Sequence, residues 1–116
     1  MDTTDLVVEI LSDALGGVPV STDVPSNRPL QMVTVDLVGD QSTEYLLQPT
    51  YALTCWGRTD REAKSIALGA VDALWAAADT HPYLSACSLQ SLSRDEWVAN
   101  GQGRYLAMVE LTVNTY

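Results

Sequence analysis

Apolar residues recur with helical spacing in the first segment of the chain. One stripe repeats at intervals of three and four residues: Val7, Ile10, Leu11 and Ala14. This spacing predicts a helix from about Thr4 to Leu15, with Thr3 or Thr4 as its N-cap. The glycine pair that follows ends the helix, because glycine adopts a left-handed turn without steric cost.

Alternation of apolar and polar positions predicts four main strands. They cover residues 30–40, 50–56, 87–92 and 104–116. Residues 18–21 form at best a short edge strand, since Pro19 cannot donate a hydrogen bond to a sheet. Each main strand lies close in sequence to another, so the four strands are expected to form two antiparallel hairpins.

A second helix is predicted over residues 60–78, after Gly57 breaks the second main strand. Thr59 and Glu62 have the spacing of a capping box, in which the Thr59 hydroxyl accepts from the Glu62 N–H and the Glu62 carboxylate accepts from the Thr59 N–H. A regular apolar stripe follows at intervals of three and four: Ala63, Ile66, Ala67, Ala70, Val71, Leu74 and Ala78. Most of these side chains are small, so the helix can lie close to a sheet.

The order of these elements indicates one α+β domain over residues 1–116. Two main helices are expected to pack on one face of a largely antiparallel sheet of about four to five strands. The length of 116 residues and the 47% hydrophobic content suit a single packed core.

Charge and composition exclude several classes of protein. Six basic residues stand against fifteen acidic ones, and the net charge of -9 opposes binding to nucleic-acid phosphates. No apolar run has the length of a membrane span, and the opening residues MDTTDL lack the basic character of a targeting signal, so the cytosol is the expected location. Cys55 and Cys87 are expected to be reduced and at least partly buried, because neither has a histidine or a second cysteine close by.

No pattern in the chain indicates catalysis, a cofactor or a metal site, and we predict that the protein is not an enzyme. His81 is the single histidine and precedes a proline at a helix end, where a capping role is sufficient. Large apolar residues in two connections are candidates for protein interfaces, or alternatively for lids on the core. These residues are Trp97, Tyr45, Leu46 and Leu47.

The whole chain resembles the small tail terminator (tail completion) proteins of long-tailed bacteriophages and prophages. An N-terminal helix ends in LGGVPV, and a proline-flanked loop leads into the strand MVTVDLVG. The stretch PTYALTCWGRTDREAKSIALGAVDAL looks like the family's strand, tryptophan corner and alanine-rich helix, and GRYLAMVELTVN looks like its closing strand.

The resemblance implies a structural role without catalytic residues. Family members form a ring, commonly a hexamer, on the head-proximal end of the tail tube, where they end tube growth and present the surface that joins the head. The implied partners are further copies of the chain, the tail tube protein and the head–tail connector protein. DNA would pass through the ring without specific binding, and the protein would move from host cytoplasm to virion tail. Two alternatives remain: a head-completion or stopper protein at the head–tail joint, and an unrelated ligand-binding or enzymatic α+β domain.

Overall fold

The computed structural model describes residues 3–23, 31–40, 42, 47–94 and 103–113. Two helices and five strands occur in these ranges. In chain order they are α1 (Thr3–Ala14), β1 (Val20–Ser21), β2 (Met32–Asp40), β3 (Pro49–Gly57), α2 (Asp60–Thr80), β4 (Leu84–Arg94) and β5 (Gly103–Val113).

The strands form one sheet in the order β1-β2-β3-β5-β4. β2 and β3 make one antiparallel hairpin and β4 and β5 make another, as the sequence predicts. The hairpins join through antiparallel β3 and β5, with Leu53 opposite Ala107. The short β1 is the exception, since it runs parallel to β2 at the edge of the sheet. The predicted α+β class and largely antiparallel sheet are therefore confirmed.

Both helices lie on one face of the sheet. α2 packs across β3, β4 and β5, and α1 lies beside α2 over β1 and β2. The predicted α2 stripe faces the sheet, with Ala63, Ala67 and Leu74 fully buried. Burying a leucine side chain such as Leu74 contributes about 2 kcal/mol, so this stripe is a main source of stability. Lys64 and Asp72 point to solvent, as the prediction requires.

Some element boundaries differ from the sequence-based expectation. α1 begins at Thr3, so Thr3 and Thr4 lie inside the helix rather than ahead of it. The Thr4 hydroxyl lies 3.0 Å from the hydroxyl of buried Tyr51 and ties α1 to β3. β4 extends beyond the predicted residues 87–92, because its pairing with β5 continues at both ends of the serine-rich stretch.

Candidate interaction surfaces

Three of the four predicted interface residues lie outside the described residues: Trp97, Tyr45 and Leu46. Leu47 is described, and its half-buried side chain packs against the core. Its backbone N–H donates to the Val113 carbonyl over 3.3 Å, and the Val113 N–H donates to the Leu47 carbonyl over 2.8 Å. Leu47 therefore extends the ladder between β3 and β5, and an interface role for the four residues stays a prediction.

The outer half of β2 exposes two large apolar side chains at the edge of the sheet. Leu37 is 48% exposed and Val38 is 50% exposed. The register shifts between Leu37 and Gly39, so Val38 is an extra residue that bends the strand. β1 pairs with β2 only at Val33 and Thr34, and no other described residue covers this edge. Leu37 and Val38 together are called the β2 edge patch.

The solvent side of α2 exposes a second pair of large apolar residues. Leu68 is 44% exposed and Trp75 is 45% exposed, one on each side of exposed Asp72. Toward the start of the helix the same side carries exposed Arg61 and Lys64. An open groove runs along this side, lined by Arg61, Lys64, Ser65, Leu68, Gly69 and Asp72. These positions are called the α2 outer face, together with Trp75.

Neither apolar pair was predicted from the sequence. Leu68 and Trp75 are seven residues apart and lie off the buried stripe, so a helical projection of residues 60–80 places them opposite the core. That signal was available in the sequence. The β2 edge patch had no such signal, because the alternation predicts Leu37 on the same face as buried Val33 and Val35.

The start of α2 is held by side chains of the predicted capping box. The Glu62 N–H donates to the Thr59 hydroxyl over 3.2 Å, as expected. The Glu62 carboxylate, however, accepts from the Arg58 N–H over 2.9 Å, where the sequence predicted the Thr59 N–H. The expected partner is thus wrong by one residue, since the carboxylate reaches past the cap to the preceding turn. The hydrogen bond from the Arg58 backbone lowers the pKa of Glu62.

Two paired glycines let this corner lie directly on the sheet. Gly57 at the end of β3 is opposite Gly103 at the start of β5. A β-carbon on Gly57 would lie 2.5 Å from the Ala63 nitrogen, and one on Gly103 would collide with the backbone of Thr59 and Asp60. Any residue larger than glycine at these two positions would therefore push α2 away from the strands.

The described basic residues all lie at this same end of the molecule. They are Arg58, Arg61, Lys64, Arg94 and Arg104. Arg94 contacts Asp60 over 3.3 Å in an exposed ion pair, and the Arg104 guanidinium lies 5.7 Å from the ring centre of Trp56. Asp40 at the end of β2 and Asp79 at the end of α2 lie at the opposite end of the molecule. No described lysine or arginine occurs there. The charge of the described residues is thus polarised along the strands.

No described group has the features of a catalytic or metal centre. Burial raises the pKa of Cys55 to about 12 and the pKa of Cys87 to about 11, so neither thiol is an activated nucleophile. Both cysteines are free, as predicted. His81 has the predicted capping position, where its backbone N–H donates to the Ala77 carbonyl over 2.7 Å. Among the described residues, no three histidine, cysteine or acidic side chains are grouped to hold a metal ion. No helix in the described ranges is long and apolar enough to span a membrane.

The fold of this chain is also found among known proteins. No protein-family model matches the chain, and no curated protein matches it. A solved structure, the virion of a native gene transfer agent (GTA) particle, contains a chain of similar structure with a TM-score of 0.62 and 17% sequence identity. The likeness shows a shared fold. It covers 93% of this chain and 91% of the virion chain, so the two chains have nearly the same extent.

Proposed function

We propose that the protein is a structural component of a phage-like virion, and that it is not an enzyme. The observation that carries this proposal is the fold shared with a chain of the GTA virion over 93% of the present chain. Because the likeness extends over nearly all of both chains, it concerns the whole domain and not a common substructure. The described residues offer no catalytic group that would favour another class of function.

More specifically, we propose that the protein forms the ring that terminates the tail tube at its head-proximal end. The whole-chain sequence resemblance to tail terminators supports this finer assignment. A ring requires a heterologous contact, in which two different surfaces of the subunit meet. The sheet offers two dissimilar edges: the β2 side carries the apolar β2 edge patch, and the β4 side presents the serine-rich strand Leu84–Arg94.

The β2 edge patch extends the set of residues that we propose for the ring contact. Leu37 and Val38 lie just before residues 41–48, the segment that holds Tyr45, Leu46 and Leu47. Large apolar residues that are grouped in this way are typical of the centre of a protein interface. Together with Trp97, these residues would bind the neighbouring subunit.

The polarised charge of the subunit suits a ring that stands between two partners on a DNA channel. One end of the subunit would meet the tail tube protein and the other the head–tail connector protein. The net charge of -9 also suits a ring through which DNA passes without binding, because acidic surface repels the DNA backbone.

Separated heads and tails test the assignment. In a background where head joining is blocked by another defect, free tails and free filled heads are purified and probed for the protein. If the protein is a terminator, it should be detected on the free tails, at the end that would meet the head. Detection on heads alone would support the head-completion alternative, and detection on neither particle would contradict a structural role.

A point variant tests the edge contact within the same system. Val38→Asp places a charge in the β2 edge patch without touching the core, and it should abolish the protein's retention on tails. Ser65→Asp is the matched control, because Ser65 is exposed on α2 and lies on neither edge of the sheet. Equal retention of both variants would show that the patch is not part of the ring.

A further inference from the structure

The α2 outer face has an unusual order of charged and apolar residues. Five side chains recur along it at intervals of three, four, four and three residues: Arg61, Lys64, Leu68, Asp72 and Trp75. At about 100° per residue they fall within one side of the helix, opposite the buried stripe. The order is symmetric about Leu68, with a cation four residues before it and an anion four residues after it.

This charge order does not serve the helix itself. Cations near the start of a helix oppose its dipole, and the last turn of α2 contains no basic residue. Arg61 and Lys64 are also like charges three residues apart, a spacing that is mildly unfavourable. Within the described residues, neither Lys64 nor Asp72 takes part in an ion pair. The arrangement is therefore better explained by a partner than by helix stability.

We propose that two copies of the protein associate through antiparallel packing of their α2 helices, centred on Leu68. In that arrangement a residue a given number of positions before Leu68 contacts the residue the same number of positions after Leu68 in the second copy. Leu68 packs on the second copy's Leu68, and Lys64 meets the second copy's Asp72. A parallel arrangement in register would instead bring Lys64 against Lys64, which is repulsive.

The remaining members of the face fit the same arrangement. Arg61 and Trp75 lie seven residues on either side of Leu68, so each guanidinium comes next to the other copy's indole ring. Arginine over tryptophan is a favourable cation–π pair. Ser65 and Gly69 flank Leu68 in the open groove, and their small size allows the two helices to approach closely.

The contact differs in symmetry from the ring contact and goes beyond the proposed function. It is isologous, so it closes at two copies and cannot by itself propagate around a ring. One helix pair buries less surface than a standard permanent interface, so the dimer is expected to be weak and concentration-dependent. Its role would be to cover Leu68 and Trp75 on the free protein.

Cysteine crosslinking tests the centre of the contact. In Leu68→Cys the two introduced thiols face each other across the symmetry axis, and mild oxidation should produce a disulfide-linked dimer at least about tenfold faster than in the control. Leu37→Cys is the matched control, since Leu37 is a leucine of similar exposure on another surface. The buried Cys55 and half-buried Cys87 leave the wild type slow to crosslink. Equal crosslinking rates for the two variants would overturn the proposal.

A charge exchange tests the antiparallel register. Sedimentation velocity over a range of concentrations measures the dimer of the full chain. Lys64→Asp and Asp72→Lys alone each create two like-charge pairs and should weaken the dimer about tenfold or more, whereas the double variant should recover it to within about threefold. Both residues are exposed, so folding is retained. A double variant as weak as either single variant, or a wild type that stays monomeric at every concentration, would contradict the proposal.

Discussion

Substitution of Gly57 by alanine should destabilise the protein far more than its small size suggests. The new β-carbon would lie 2.5 Å from the Ala63 nitrogen, and 2.9 Å and 3.0 Å from atoms of Glu62. An ordinary contact begins at 3.4 Å, so the first turn of α2 would have to move by about 0.9 Å. All but one of these neighbours are backbone atoms, which cannot rotate out of the way as a side chain does.

The expected cost is about 3 kcal/mol, at the upper end of the range for overpacked sites. For a domain of this length that corresponds to a fall in Tm of roughly 10 °C or more. Urea unfolding followed by far-ultraviolet circular dichroism measures the free energy of unfolding directly. The native far-ultraviolet spectrum checks that the secondary structure of the variant is retained.

Gly39→Ala is the matched control for this prediction. Gly39 is also in a strand, and its added β-carbon would lie 3.7 Å from the nearest atom of Thr50, an ordinary contact. Both variants lose the same backbone freedom in the unfolded chain, which favours folding by about 0.5 kcal/mol, so their difference isolates the collision. If the free energies of unfolding of Gly57→Ala and Gly39→Ala differ by less than about 0.5 kcal/mol, which is the usual error of such comparisons, the close packing of the corner is refuted.

Four further predictions follow from the described residues and the sequence. Thr59→Ala should lower the free energy of unfolding by about 1 kcal/mol through loss of the N-cap hydroxyl, measured by urea denaturation, with assembly retained. The pKa of Glu62 is lowered in the folded state, so its carboxylate stabilises the fold at a pH above its unfolded pKa, and this contribution is lost as the pH falls. The difference in free energy of unfolding between wild type and Glu62→Gln should therefore become smaller in acid. Native Cys55 and Cys87 should react slowly with a thiol reagent at pH 8, since burial raises their pKa values to about 12 and about 11, and two fast-reacting groups would contradict this. Trp97→Ala should weaken ring or tail binding by about 2 kcal/mol while changing the melting temperature little; the reverse pattern would identify Trp97 as a lid on the core.

The helices were predictable because their signals are local. The stripe of α2 repeats over more than four turns, and Thr59 marks its start by a side chain that acts within three residues. Such short-range signals depend little on the rest of the fold. The β2–β3 and β4–β5 hairpins were predictable for the same reason, since each pairs neighbours in sequence.

Long-range arrangement was harder to predict. Nothing local specifies that β5 lies between β3 and β4, because β3 and β5 are far apart in the chain. The parallel pairing of β1 with β2 was also not predicted, because β1 consists of only Val20–Ser21 and has too few residues for a strand pattern. The bulge at Val38 also follows from pairing with β3, which alternation along β2 does not reveal. Trp97 and Tyr45 were selected by residue type and by their place in connections, and their interface role stays a prediction.

The length of tails made without this protein tests the proposed terminator role most directly. The gene is deleted from the phage or prophage that carries it, and tail lengths are measured by electron microscopy beside a complemented control. We predict tails that overgrow or fail to join heads, next to normal filled heads, and recovery when the gene is supplied in trans. Tails of normal length already joined to heads would contradict it.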